Sequence, residues 1–248
     1  MNISSSLKNY IRHSFPWPVY WWLKRRYEEW HVLFSNRDLT TLARIYKTDK
    51  VSHHDYTSVY QEWFEPLRFK RIRLLEIGVG GYAKAYLGGE SLRMWKRYFP
   101  FGRITGIDIH DKTTFAESRI SIYQGDQSDK NFLHKIVIEE GPFDIIIEDG
   151  SHMQSHIITS FETLFRFMAP GGIYVIEDTQ TSYWPEYEGS TTEMHTVASA
   201  MNYFIKRIHD INRVEWRDSK QKVGEIGKMI DSIGFYHNLI VVVKKSKD

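Results

Sequence analysis

Cysteine is absent from all 248 residues, which removes disulfide frameworks, thiolate zinc sites, iron–sulfur clusters and cysteine nucleophiles from consideration. A dominant charge of one sign is also missing. Lys and Arg number 33 against 31 Asp and Glu, for a formal net charge of +2. Such a field does not recruit nucleic acid, even with the local basic groups at Lys206, Arg207 and residues 244–247, so no nucleic-acid partner is expected. Long apolar runs are lacking as well. The most aromatic stretch, residues 15–22, is cut by Pro16 and Pro18 and followed by Lys24, Arg25 and Arg26. It falls short of the roughly 20 residues of a membrane span and has no small-residue cleavage site of a secretory leader. No internal repeat or low-complexity tract is visible. The remainder, 42% hydrophobic and 26% charged, suits one domain of roughly 200 residues behind an extension, expected in the cytoplasm.

The extension is aromatic and basic. Trp17, Tyr20, Trp21, Trp22, Tyr27 and Trp30 read as a helical arm packed on the core or on a partner subunit of a homo-oligomer. Aromatics followed by a basic cluster also suit an in-plane helix, peripheral at the inner face of a membrane. The expected division is an arm over residues 1–37, a helical lid over 38–70 and a catalytic domain over 71–248.

From Arg73 onward, short β-rich runs alternate with helical segments. RLLEI (73–77), ITGIDI (104–109), ISIY (120–123), FDIII (143–147) and GIYVI (172–176) read as strands. Residues 91–98, 130–139 and 156–168 read as helices, the last closed by Pro170, Gly171 and Gly172. Trp216, residues 223–229, 234–236 and 239–243 read as the closing strands. The pattern predicts a doubly wound, Rossmann-like α/β sheet. Ligands in such sheets sit at the carboxyl ends of the strands. Those ends carry Glu76 and the Gly78–Gly81 turn, Asp108, Asp126 with Gln127, Glu148 with Asp149 and His152, and Glu177 with Asp178. Gly78, Gly80 and Ala83 satisfy a loose G-x-G-x-x-A dinucleotide fingerprint, and Asp108 lies 30 residues beyond Gly78, where a ribose diol would be held. A nicotinamide enzyme is the alternative, but residues 82–90 intervene before the helix at Ser91, and a pyrophosphate needs that helix N-terminus close by.

The segments LLEIGVGGY, GGESLRMWKRYFP, GIDIHDK, QGDQSD and EDGSHMQSHIITSFETLFRFMAPGGIYVIEDTQTSYWP carry a resemblance. From about Leu42 to Gly189 the chain resembles the metal-dependent S-adenosylmethionine sugar O-methyltransferases, of the mycinamicin VI O-methyltransferase and methylmannose-polysaccharide methyltransferase kind, within the cephalosporin hydroxylase superfamily. The resemblance implies a class I methyltransferase fold. It also implies that Glu76, Gly78 and Gly80 contact the methionine side of the cofactor, Asp108 the ribose, Asp126 and Gln127 the adenine surroundings, with Ser91 close by. The YKTDK stretch (46–50) with His53, His54 and Tyr56 is similar to a cofactor lid. Glu148, where relatives often have Asp, and Ala83-Lys84-Ala85, in place of a more acidic loop, depart from the pattern and leave the acceptor open.

Asp149, Glu177 and Asp178 fall at the tips of strands expected to be neighbours. Three carboxylates so placed repel unless protonated or bridged by a cation. Oxygen ligation without cysteine selects Mg²⁺, with Mn²⁺ or Ca²⁺ as substitutes, and the resemblance implies the same three ligands, Asp149 touching cofactor and metal alike. His152, three residues after Asp149, is the expected base for a sugar hydroxyl, with His156 as its rival. Tyr183, Trp184, Pro185 and Tyr187 suit an apolar sugar face. The expected acceptor is a sugar on a glycan, glycolipid or glycosylated natural product. The alternatives are a cephalosporin-hydroxylase-like oxidative or assembly protein, and a non-catalytic protein of the same fold at a membrane surface.

Overall fold

The structure, a computed structural model, describes residues 16–35, 37–51, 54–217 and 222–246. The chain divides into two compact units, residues 1–63 and 64–248. In the first, α1 (Trp17–Leu33) opens behind Pro16, with Pro18 in the first turn, where a missing N–H breaks no helical bond. On or beside this helix, Trp22, Trp30 and Phe34 are exposed. Its cations are engaged locally, Lys24 with Glu28 at 3.8 Å and Arg26 with Glu29 at 3.4 Å. Asp38 starts α2 (Leu39–Tyr46) by accepting the Thr41 N–H at 2.8 Å. The third helix, α3 (Thr57–Phe64), runs to the boundary. His53 lies outside the described residues. Among those described, no helix is long and apolar enough to cross a membrane.

The second unit is the doubly wound α/β sheet that the alternation predicts. Its elements in chain order are β1 (Arg73–Ile77), α4 (Glu90–Tyr98), β2 (Arg103–Asp108), β3 (Ile120–Gln124), α5 (Lys130–Glu140), β4 (Ile145–Glu148), α6 (Gln154–Leu164), β5 (Ile173–Ile176), α7 (Ala200–Ile211), α8 (Glu225–Met229), β6 (Ile230–Tyr236) and β7 (Leu239–Lys244). The strand order is β3-β2-β1-β4-β5-β7-β6. The first five strands run parallel, and β7 pairs antiparallel with both β5 and β6. Strand alternation divides the core between the faces. Leu75 and Ile77 join a buried cluster with Leu133 and Ile136 of α5 and Ile157 and Phe161 of α6. The intervening Glu76 turns the other way, toward α4, where Ser91 Oγ donates to its carboxylate at 2.9 Å.

The closing segment corrects the sequence reading. Residues 223–229 were expected as a strand, but Glu225–Met229 is helical. Ile226 and Met229, three apart, both pack on the core, which is a helical rather than an alternating period. Trp216 follows a 3₁₀ turn, Arg213–Glu215, and belongs to no strand. The strand read at 234–236 begins at Ile230. Helix α7 went unread; Ser199 caps it by accepting the Asn202 N–H at 3.3 Å.

Candidate active site

The strand order reverses direction between β1 and β4, which opens a crevice at their carboxyl ends. Register then decides what lines it. Ile77 stands opposite Glu148, and Glu148 opposite Ile176. The next residues therefore leave the sheet together: the Asp149 N–H donates to the Ile77 carbonyl and the Glu177 N–H to that of Glu148, each at 2.9 Å.

Gly78 adopts φ +94°, and a Cβ there would lie 2.0 Å from the Asp149 carbonyl oxygen. Only glycine lets the β1 turn press against the β4 loop. The next strand end holds this turn in place. Asp108 accepts the Val79 N–H at 2.9 Å on one carboxylate oxygen and the His110 N–H at 2.8 Å on the other. Each oxygen keeps a further lone pair for a diol. Lys112 was not singled out by the sequence reading, although it closes the GIDIHDK motif. Its buried Nζ donates to the carbonyls of Lys84 and Leu87, both at 2.8 Å, fixing the segment before α4. Burial holds its pKa below the usual lysine range, an effect opposed by the charges of Asp108 and Glu90.

At the end of β3, Asp126 accepts the Ser128 N–H at 2.7 Å and its hydroxyl at 2.8 Å. The backbone bond from Ser128 leads in holding the Asp126 pKa below the usual carboxylate range. Gln127 is turned inward. Its Oε1 accepts the Ser151 N–H at 2.7 Å, and its Nε2 donates to Glu148 at 2.7 Å. Burial pushes the Glu148 pKa up to about 7, against hydrogen bonds from Ser160, Gln127 and Tyr174 that favour the anion. Gln127 and Glu148 thus brace the loop that carries Asp149 and His152.

Asp149, His152 and Asp178 each present one donor atom, and these atoms lie within 4.8 Å of one another. His152 Nε2 is 3.6 Å from Asp178 Oδ2. The carboxylates of Asp149 and Asp178, with donor oxygens within 4.8 Å of each other, favour a bound cation or a protonated partner, and their oxygens suit a hard divalent ion. Glu177 is buried, one residue before Asp178, and is not a member of this donor group. His156 Nδ1 is 3.0 Å from Ser151 Oγ. Beyond β5, Tyr187 sets its ring 6.3 Å from that of His152 and 6.0 Å from that of Trp184. Glu188 accepts the Ser155 N–H at 2.8 Å, tying this aromatic segment to the start of α6. Tyr56 belongs to the first unit, where its ring stacks on His54 at 5.1 Å.

Residues 75–179 match the family model of a methyltransferase domain. The chain is 42% identical over 213 residues to the mycinamicin VI 2''-O-methyltransferase of Micromonospora griseorubida, covering 85% of this chain and 53% of that one. It is 40% identical over 210 residues to the 8-demethyl-8-alpha-L-rhamnosyl tetracenomycin-C 2'-O-methyltransferase of Streptomyces olivaceus, covering 84% and 55%. Among solved structures, MycE methyltransferase from the mycinamycin biosynthetic pathway, in complex with Mg and SAH, superposes with a TM-score of 0.80 at 42% identity, covering 85% of this chain and 55% of that one. The sheet is accordingly a Rossmann-like class I methyltransferase fold. The chain spans about half the length of the curated relatives it matches.

Proposed function

From its similarity to the mycinamicin VI and tetracenomycin-C O-methyltransferases, we propose that this chain methylates a sugar hydroxyl on a glycosylated natural product, glycan or glycolipid. The carrying observation is the donor group of Asp149, His152 and Asp178 at the tips of β4 and β5. A bound S-adenosylmethionine supplies an activated methyl group, and a bound Mg²⁺ supplies the charge that acidifies a hydroxyl.

The protein's own residues do the rest. Asp149 and Asp178 would hold the cation, for which Mn²⁺ or Ca²⁺ can substitute, and Glu177, the chain neighbour of Asp178, is the proposed third carboxylate although it stands outside the observed donor group. Neutral His152 accepts the hydroxyl proton at Nε2, and Asp178, 3.6 Å away, stabilises the imidazolium that results. Asp108 orients the cofactor's ribose, Glu76 with Gly78, Gly80 and Ser91 bounds its methionine end, and Asp126 and Gln127 lie on the adenine side. Asp149 would serve cofactor and cation together, since its backbone packs against the Gly78 turn while its carboxylate belongs to the donor group. The aromatic rings of Trp184 and Tyr187 offer a flat face to the acceptor.

The test is calorimetric titration with S-adenosylhomocysteine, with and without Mg²⁺, followed by methyl-transfer assays on glycosylated acceptors that include mycinamicin VI. Binding of S-adenosylhomocysteine and Mg²⁺-dependent transfer to a sugar support the proposal. NAD(H) binding with no heat from S-adenosylhomocysteine overturns it.

A further inference from the structure

The two partners at 3.6 Å share an uncommon backbone. His152 has φ +59° and Asp178 has φ +54°, left-handed values that are unfavourable for a non-glycine residue and persist only where surroundings impose them. What imposes them is traceable. Gln154, in the first turn of α6, is fully buried. Its Nε2 donates to the His152 carbonyl and to Thr181 Oγ1, both at 3.1 Å. Its Oε1 accepts from Ser182 Oγ at 2.9 Å and from the Ala200 N–H at 2.8 Å. Thr181 Oγ1 in turn donates to the Asp178 carbonyl at 2.9 Å. The carbonyls of both left-handed residues therefore end on one amide, directly for His152 and through a single hydroxyl for Asp178.

All four hydrogen-bonding positions of that amide are filled, so it cannot flip. A flip would set Nε2 against the Ala200 N–H and leave buried donors without acceptors. The far anchor, Ala200, is the first residue of α7, a rigid element of the core.

We propose that Gln154 is the positioning residue of this site, setting the separation between the His152 imidazole and the Asp178 carboxylate through their backbones, with Thr181 as its relay. The assignment deepens the methyl-transfer reading and rests on it for the roles of His152 and Asp178. Gln154 is fully buried with all four amide positions taken up by protein groups, so it acts through the two residues it holds.

Thr181→Val removes the relay with little change of volume, Thr181→Ser keeps the hydroxyl, and Gln154→Met removes all four bonds. Each variant and the wild type is titrated with Mn²⁺ by electron paramagnetic resonance and with S-adenosylhomocysteine by calorimetry. The His152 imidazole ¹⁵N resonances are followed by NMR, assigned by their loss in His152→Ala. Thr181→Val is expected to weaken Mn²⁺ binding about five- to tenfold, the range of one hydrogen bond, and to displace the His152 resonances. S-adenosylhomocysteine affinity stays within about twofold, and Thr181→Ser restores wild-type behaviour. Gln154→Met moves the same observables further. Wild-type Mn²⁺ affinity and unmoved His152 resonances in Thr181→Val overturn the assignment, whatever the fate of Gln154→Met. Failure of the wild type to bind Mn²⁺ and S-adenosylhomocysteine overturns the methyl-transfer reading instead, while the His152 resonances still decide whether Gln154 sets that geometry.

Discussion

Replacing Glu148 by Gln should stabilise the protein above neutral pH and leave it unchanged in acid. Glu148 is wholly buried, and its pKa rises from the usual 4.5 to about 7. Burial penalises the charged form only in the folded state, so the native protein binds a proton that the unfolded chain releases. The sign follows directly. The Glu148 contribution is at its best below about pH 4.5 and is lost as pH rises through 7. A shift of this size corresponds to about 3 kcal/mol, at about 1.4 kcal/mol for each pH unit. Glutamine keeps the network, since its oxygen can accept from Gln127 and its amide can donate to Ser160 and Tyr174, whose hydroxyls accept as readily as they donate. Urea unfolding in EDTA, from pH 4 to pH 9, reads the effect. The two proteins should coincide near pH 4 and diverge to a plateau of about 3 kcal/mol above pH 8, or about 6–12 °C in Tm. A variant that is equally or less stable than the wild type at pH 8 refutes the reasoning.

His152→Ala should lower kcat by about 10²–10⁴, as expected of a lost base, with S-adenosylhomocysteine affinity unchanged; steady-state kinetics beside calorimetry checks this, and wild-type kcat would return His156 to consideration. Asp108→Ala removes the acceptor of the Val79 and His110 N–H groups as well as a ribose partner, so S-adenosylhomocysteine binding should weaken more than about tenfold, again by calorimetry. Glu188→Ala frees the Ser155 N–H in the first turn of α6 and should cost up to about 1 kcal/mol at neutral pH. That backbone bond from Ser155 is what holds the Glu188 pKa below its usual range. The loss should therefore disappear in acid as wild-type Glu188 protonates, and chemical denaturation at pH 7 and pH 3 separates the two cases.

Alternation of β-rich and helical runs exposed the parallel sheet, because a buried strand needs an unbroken apolar run and each crossover helix needs a period near four. The same logic put Asp108, Asp149 and Asp178 at strand ends, where the crevice forms. It failed at residues 223–229, where one short turn offers too few positions to separate a period of three from one of two. It passed over Ala200–Ile211, which no flanking strand brackets. Within the site, the misses share one cause. Gln127 was expected beside the adenine and Gln154 was passed over, and only tertiary contacts show both amides turned inward. His152 and Asp178 carry no glycine or asparagine to advertise a left-handed backbone, which here is imposed from outside the segment.

The antiparallel insertion of β7 between β5 and β6 bears on how the protein is made. Strand β5 carries Asp178 at its tip, and its outer edge is paired only when residues 239–244 arrive; the turn before them also supplies the Asn238 carbonyl that receives the Thr179 N–H at 3.2 Å. During synthesis, the strands from β1 to β5 emerge well before that edge can close. A nascent chain stalled before Leu239 would expose the open side of β5 as a template for pairing with another chain, its half-built crevice lacking the brace on the Asp178 turn. Ribosome-bound intermediates of this protein would thus be sticky before the crevice was complete, and the arrival of β7 would end both conditions at once.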